Sequence, residues 1–314
     1  VLNPIQSHSL RELYIRKAKT DARDSLIIAD LVRFGRCQAS NVPQDKILAL
    51  RELCRSRAYL IDVAADLKRK LTALLDRIFP EYESVFDSLF GKASVAVLRK
   101  YPTPQKVKSA HLEKLTEILW NSSGGHFGEW KARQLKETAC NSFGIEDTCG
   151  VYSALLCVFL EQILSLTEQA AAIEKQITSL LKEFDAQLTS IPGVGVVLAA
   201  TILSEIGDIS RFSSADKLLA YAGLDPTVRQ SGEFKSSQNR MSKRGSPYLR
   251  RAIWLASTSA VQFDPMFRAY YEKKRSEGLH YMNVIGHVSR KMTAVIFAVL
   301  RDGQPYRLMM PKAG

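Results

Sequence analysis

The chain has 314 residues, of which 46% are hydrophobic and 24% charged, so it can bury a substantial core and is globular. Its formal charge of +12 and pI near 9.5 favour a polyanionic partner, with nucleic acid ahead of a membrane surface. It has neither an apolar run of about eighteen residues nor a signal-peptide pattern, which argues against spanning or secreted proteins. The five cysteines form no CxxC pair, which favours reduced thiols in a cytoplasmic protein.

The first predicted helix begins near Thr20, ends near Gly35 and carries Asp21 and Asp24 in its first turn. Residues three apart share a helix face, so the two carboxylates can ligate one divalent cation. Capping and the helix dipole also favour acidic residues at helix starts, which is the structural alternative.

Two long helices are predicted from apolar residues at heptad spacing. The first covers residues 44–78, where Leu53, Leu60, Leu67 and Leu74 are seven apart, with Ala64, Leu71 and Ile78 alongside. In the second, the seam consists of Phe159, Ile163, Leu166, Ala170, Ile173, Ile177, Leu180 and Phe184. These helices are expected to pair with each other, with a partner subunit, or with both. A helical-bundle core explains the intramolecular pairing equally well.

Between the long helices, residues 85–150 are predicted to form two shorter helices, broken at residues 101–104 and 121–125. The basic residues of this stretch are Lys100, Lys106, Lys108, Lys131, Arg133 and Lys136. They predict contact with a nucleic-acid backbone, and a solvated helix face is an equal alternative.

A glycine-rich turn at residues 191–195 precedes an apolar helix. Gly193 and Gly195 permit positive φ and close approach, so the turn is typical of a helix-hairpin-helix motif that offers backbone N–H groups to a phosphate. A tight turn between two core helices is the alternative.

Residues 225–247 are predicted to form a long, polar and basic loop, and long ordered loops are usually functional. The predicted nucleic-acid-binding residues here and just beyond are Arg229, Lys235, Arg240, Lys243, Arg244, Arg250 and Arg251. Further helices are expected after Arg250, from Asp264-Pro265, and over residues 283–300, with Gly303 ending the last one.

Taken together, these motifs resemble the bridge-RNA-guided transposases, or recombinases, of the one-ten family of bacterial insertion sequences. The resemblance covers almost the whole chain. It is carried by Asn3-Pro4, by Lys19-Thr20-Asp21-Ala22-Arg23-Asp24, and by residues 191–251.

The resemblance implies a mainly α fold with five parts. Residues 1–40 are the C-terminal remnant of an RNase-H/RuvC-like α/β domain. Residues 41–84 and 151–186 are long antiparallel coiled-coil helices, and residues 85–150 are a small helical nucleic-acid-contacting module. Residues 187–314 form a helical transposase domain with a helix-hairpin-helix-like turn and a serine loop.

By the same resemblance, Asp21 and Asp24 are the last two of four metal-binding acids, with Mg²⁺ as the metal. The nucleophile is Ser231, in Gln230-Ser231-Gly232, with Ser242 as the alternative. A serine hydroxyl must lose its proton, and the phosphate charge must be neutralised, before it can attack. Bound metal and nearby arginines supply both effects.

One departure from the family concerns the start of the chain. The family's first Asp and its Glu precede the Lys-Thr-Asp motif, and the residues before Lys19 are too few to hold them. We therefore expect a truncated RuvC-like domain with residues 1–40 poorly packed. The chain is then expected to bind nucleic acid but to be impaired as a recombinase.

The function predicted is strand exchange in DNA transposition by Mg²⁺-dependent phosphoryl transfer. The partners are donor and target DNA, a structured guide RNA and further copies of the chain through the coiled coil, with no membrane. Two alternatives remain. One is a non-catalytic nucleic-acid-binding or assembly protein, and the other is a RuvC-like junction resolvase that needs no serine.

Overall fold

The computed structural model describes residues 4–11, 20–35, 45–184, 187–226, 230–231, 234–235 and 241–307. Within these ranges the chain is mainly helical, as predicted. The helices are α1 (Pro4–Arg11), α2 (Asp21–Arg33), α3 (Asp45–Ile78), α4 (Tyr82–Val85), α5 (Lys92–Lys100), α6 (Pro104–Ser109), α7 (Leu112–Ser123), α8 (Glu129–Cys140), α9 (Val151–Leu181), α10 (Val196–Ile206), α11 (Ala215–Ala222), α12 (Pro247–Phe263), α13 (Pro265–Ser276) and α14 (Tyr281–Asp302). Strands β1 (Gln230–Ser231) and β2 (Phe234–Lys235) form an antiparallel hairpin, and 3-10 turns lie at Gln187–Ser190 and Ile209–Arg211.

The helices α3 and α9 pack antiparallel along their length. Ion pairs show the direction: Lys46 at the start of α3 contacts Glu183 just after α9 (2.5 Å), and Arg57 contacts Glu174 (2.8 Å). The buried row of α3 contains Ala64, Leu71, Leu74 and Ile78, whereas Leu53, Leu60 and Leu67 are half-buried at its edge. The heptad spacing therefore predicted the helix correctly. The face of α3 that is buried against other helices, however, consists mostly of the residues flanking the heptad, Ala64, Leu71 and Ile78.

Two hydrophobic cores lie at opposite ends of this helix pair. The first joins the start of α3 and the end of α9 to α10–α14, around Leu50, Ile177 and Ile206. The second joins the end of α3 and the start of α9 to α4–α8, around Leu71 and Leu160. The long pair is therefore shared by both cores and connects them.

The stretch between the long helices contains more helices than predicted. Four helices, α5 to α8, stand where two were expected, in addition to the short α4. Thr103 caps α6 and Pro104 occupies its first turn, so the predicted break at 101–104 begins a new helix. Asn121, predicted to break a helix, lies inside α7, which ends at Gly124 in the left-handed conformation.

The helix α2 has Asp21 and Asp24 in its first turn after the N-cap Thr20, as predicted. It packs on α1 and buries Ile27 and Leu31. Leu26, Val32 and Phe34 are exposed, Phe34 by 61%. One face of α2 is therefore apolar and exposed, while the other packs on α1.

By length and composition alone, α9 could cross a membrane, although the sequence was expected to contain no such helix. Core helices pass the same test. In this fold α9 lies against α3, with Leu156, Leu160 and Ile177 buried in the two cores.

Candidate nucleic-acid interface

The glycine-rich turn lies between the 3-10 turn at Gln187–Ser190 and α10. Gly193 has φ +88°, and a Cβ there would come within 2.6 Å of the Ala260 backbone nitrogen on α12. Gly195 is the N-cap of α10, has φ −76° and faces open space. Close packing on α12 therefore explains Gly193, while Gly195 leaves the amino end of α10 accessible.

The C-terminal segment anchors this turn from the other side. The Tyr306 backbone N–H donates to Ser190 Oγ (2.8 Å), and the Tyr306 hydroxyl donates to Asp264 (2.9 Å). Burial, together with the carboxylate, raises the pKa of Tyr306 above its usual value. Asp264 is buried and also caps α13, as its sequence position predicted. The turn is thereby tied to the junction of α12 and α13.

A hairpin is present where a loop was predicted. Ser231 pairs with Phe234 and Gln230 with Lys235, and an isolated bridge joins Pro226 to Met241. In the sequence only two residues, including Gly232, separate the strands, and this was the signal for a hairpin that the prediction missed. The structure describes the backbone of Ser231 and Lys235. Arg229 and Arg240 lie outside the described residues.

Backbone contacts close the base of the hairpin. The Ser242 N–H donates to the Asp225 carbonyl (2.8 Å), and the Lys243 N–H donates to the Gly223 carbonyl (3.0 Å). The Ser242 hydroxyl also donates to the Asp225 carboxylate. Ser242, the alternative nucleophile, is thus part of the hydrogen-bonded base, whereas Ser231 lies in the hairpin itself.

Two glycines allow this base to pack on the end of α11. A Cβ on Gly245 would lie 1.7 Å from the Tyr221 carbonyl oxygen, and one on Gly223, which has φ +67°, would lie 2.8 Å from the Arg244 nitrogen. Since the carbonyl and nitrogen are backbone atoms, no side-chain movement relieves these contacts. Close packing between protein segments therefore explains why glycine is needed at both positions, and no bound phosphate is required to explain it.

A buried carboxylate, which the sequence analysis did not single out, connects the hairpin to α3. Glu205, at the end of α10, is 2% exposed and accepts from Arg55 Nε (2.7 Å) and Nη2 (3.0 Å). The Ser246 hydroxyl donates to it (2.8 Å) and caps α12 by accepting from Leu249 N. The hydrogen bonds to Glu205 raise the pKa of Arg55. The only sequence signal was a lone acid within the apolar helix 196–206.

The predicted basic residues divide into two groups. Arg250 donates to the Ala222 carbonyl (3.2 Å), and Arg251 pairs with Asp62 on α3 (2.8 Å), so both stabilise the fold. Lys243 and Arg244 are exposed at the hairpin base, and neither is paired with a carboxylate among the described residues. Both are therefore exposed cations at the hairpin base.

Several basic residues of the α5–α8 region also have protein partners. Lys131 is 9% exposed, and its Nζ lies 5.2–5.6 Å from the ring centroids of Phe86, Phe127 and Trp130. Lys136 donates to the Lys108 carbonyl (2.8 Å), and Arg133 pairs with Glu129. For these three side chains the structure supports a role within the fold.

The two predicted metal ligands do not form a complete site. Asp24 is paired with Arg11 of α1, while Asp21 is exposed. No group of three or more His, Cys, Asp or Glu side chains suited to a metal occurs in the part of the chain that the structure describes. Mg²⁺ takes six oxygen ligands and is commonly held by one or two carboxylates together with water and phosphate oxygens. These two side chains therefore supply at most part of such a site, and Asp24 only once it has left Arg11.

Comparison with known proteins decides the family. The model "Transposase IS116/IS110/IS902 family" matches residues 185–272, and DEDD_Tnp_IS110, described as "Transposase", matches residues 1–80. The chain is 31% identical over 303 residues to the "Insertion element IS116 uncharacterized 44.8 kDa protein" of Streptomyces clavuligerus, covering 92% of this chain and 73% of that protein. The chain belongs to this transposase family.

Two further relatives show how widely the similarity extends. The "Insertion element IS110 uncharacterized 43.6 kDa protein" of Streptomyces coelicolor is 29% identical over 309 residues, 96% of this chain and 75% of that protein. The "Pilin gene-inverting protein" of Moraxella bovis is 32% identical over 121 residues, 38% of this chain and 37% of that protein.

The two matched segments contain the features described above. Asp21 and Asp24 lie in the segment matched by the DEDD transposase model, and a DEDD-type domain suggests a divalent metal. The turn, the hairpin and Glu205 lie in the segment matched by the IS116/IS110/IS902 transposase model. Membership of a transposase family makes DNA a partner of this chain.

Proposed function

We propose that this insertion-sequence transposase binds DNA at the hairpin base and exchanges strands through a serine nucleophile, Ser231. The observation that carries the proposal is the hairpin: the Ser231 backbone belongs to its first strand, and Lys243 and Arg244 are exposed at its base. Cations beside a nucleophile neutralise the phosphate that it attacks.

The proposed step is a transesterification. The Ser231 oxygen forms a bond to phosphorus, and the bond from phosphorus to one deoxyribose oxygen breaks. The serine proton passes through solvent to the released deoxyribose oxygen, which becomes a hydroxyl group. The phosphoserine ester keeps the phosphodiester energy for rejoining to another strand.

A divalent metal, proposed to be Mg²⁺ held in part by Asp21 and Asp24, belongs to the same proposal. The DEDD family match supports it, and the pairing of Asp24 with Arg11 means that Asp24 must exchange partners before it binds metal. The same ion pair favours the second candidate, a non-catalytic nucleic-acid-binding protein.

We also propose that the chain acts in the cytoplasm and binds a structured guide RNA. Finally, we propose that two copies associate through α9. Val151, Leu155 and Val158 are exposed on α9, followed at the same spacing by exposed Gln162 and Ser165. A stripe without charge, opposite the face that packs on α3, suits a second helix. Light scattering of the purified chain measures the oligomer directly.

The test of the proposed function is a denaturing gel for covalent protein–DNA adduct. Insertion-sequence end DNA is incubated with the protein, with and without Mg²⁺ and the element's RNA. We expect an adduct that Ser231→Ala abolishes while DNA binding is retained. The matched control is Ser242→Ala. An adduct lost only in Ser242→Ala would transfer the role to Ser242, and no adduct despite DNA binding would favour the non-catalytic candidate.

A further inference from the structure

Arg211 occupies an aromatic cradle at the edge of the hairpin base. It ends the 3-10 turn Ile209–Arg211 and is exposed. Its Cζ lies 4.9 Å from the ring centroid of Phe212 and 4.8 Å from that of Tyr221, and the two rings are 5.2 Å apart and tilted by 59°. The guanidinium therefore rests in the angle between two rings, and stacking of this kind restricts its orientation before any ligand arrives.

Among the described residues, no carboxylate forms an ion pair with this guanidinium, although the charge of Asp208 interacts with it. Arg55, Arg251 and Arg290 are each paired with an acid, whereas among the described residues none pairs with Arg211. The nearby Asp208 accepts instead from the Ser210 N–H (2.8 Å) and hydroxyl (2.7 Å), which fixes the turn. Stacking uses the face of a guanidinium and leaves its N–H edge free, and that edge matches the two oxygens of a phosphate.

The cradle is joined to the hairpin base through Tyr221. The Tyr221 carbonyl packs against Gly245, which directly follows the exposed Lys243 and Arg244. The Tyr221 hydroxyl donates to the Glu205 carbonyl (3.3 Å) and anchors the ring. Tyr221 thus links the stacked cation Arg211 to the segment that carries the exposed Lys243 and Arg244. A nucleic-acid backbone presents regularly spaced phosphates to such a set of cations.

We infer that Arg211 is a phosphate-binding residue of the DNA surface, oriented by Phe212 and Tyr221. The inference rests on the proposed function, in which the hairpin face binds DNA. It adds a contact outside the hairpin that holds the duplex backbone without reading its sequence.

The experiment measures anisotropy of a labelled random-sequence DNA duplex across a range of NaCl concentrations. We expect Arg211→Ala to weaken binding on the order of tenfold and to make the slope of log K against log salt shallower by about 0.9. Arg211→Lys keeps the charge, so the slope stays near that of the unmodified protein. The matched control is Arg301→Ala, which removes an exposed arginine paired with Asp302 at the end of α14.

The outcomes separate the two proposals. If the unmodified protein binds the duplex and Arg211→Ala binds with the same affinity and slope, this inference is wrong and the hairpin proposal stands. If the unmodified protein shows no salt-dependent binding, both are wrong.

A second measurement uses only the unmodified protein, so it does not depend on whether a variant folds. Phenylglyoxal modification of the unmodified protein, read by mass spectrometry, should be slowed by the duplex at Arg211 and not at Arg301. Equal rates at Arg211 with and without DNA would overturn the inference.

Discussion

Replacing Glu205 by Gln tests whether a buried ion pair secures the hairpin. The carboxylate accepts three hydrogen bonds, two from Arg55 and one from the Ser246 hydroxyl. Gln keeps the shape but replaces one oxygen by an NH₂ group, so at least one bond to the guanidinium is lost.

The magnitude follows from these contacts. An unmade hydrogen bond to a charged group costs about 1.5–3 kcal/mol. The Arg55 side chain is 38% exposed and regains water, which places the loss near 2 kcal/mol. For a chain of this size the melting temperature should fall by about 3 °C. Because Ser246 caps α12, exchange of the Leu249 amide should also become faster.

The assay is thermal unfolding followed by circular dichroism, with amide exchange at Leu249. Glu183→Gln is the matched control, because Glu183 pairs with Lys46 on the same helix α3 while both side chains are largely exposed. That variant should change stability by less than about 0.5 kcal/mol. If Glu205→Gln melts within about 1 °C of Glu183→Gln, the ion pair does not stabilise the hairpin base and our reasoning fails.

Two further predictions concern the backbone near the interface. Gly245→Ala places a Cβ against the Tyr221 carbonyl, so chemical denaturation should show a loss of more than about 3 kcal/mol in the free energy of unfolding. Gly195 faces open space, so Gly195→Ala should change that free energy by less than about 1 kcal/mol. Equal losses in the two variants would contradict the role of close packing at Gly245. Hydrogen bonds from Ser210 lower the pKa of Asp208 in the folded protein. The Asp208 carboxylate therefore stabilises the fold above its unfolded-state pKa of about 4, and this stabilisation is lost as the pH falls through the lowered folded-state pKa. Melting curves of Asp208→Asn and the unmodified protein should therefore converge in acid, and a constant difference would refute this.

The sequence predicted which residues belong to the candidate site but not which residues they contact. The family followed from motifs in the sequence and is confirmed, whereas Asp21, Gly193, Ser231 and the basic residues stay predictions of a site. Their surroundings did not follow. The partner of Asp24 is Arg11, and Arg251 is held by Asp62, so neither side chain is free as its motif suggested.

The sequence by itself determined the two long helices and several helix ends, because periodicity, capping residues and terminal glycines act within a few residues of one another. Thr20, Asp264 and Gly303 mark helix ends that the structure confirms, and the heptads predicted both long helices. Only the tertiary structure decided which glycines serve packing, which cations stay exposed and where the buried carboxylate lies. The contact between Arg55 and Glu205 spans 150 residues, and it exists because the shared core brings α3 and α10 together. Local sequence patterns carry no information about contacts between residues so far apart in the chain.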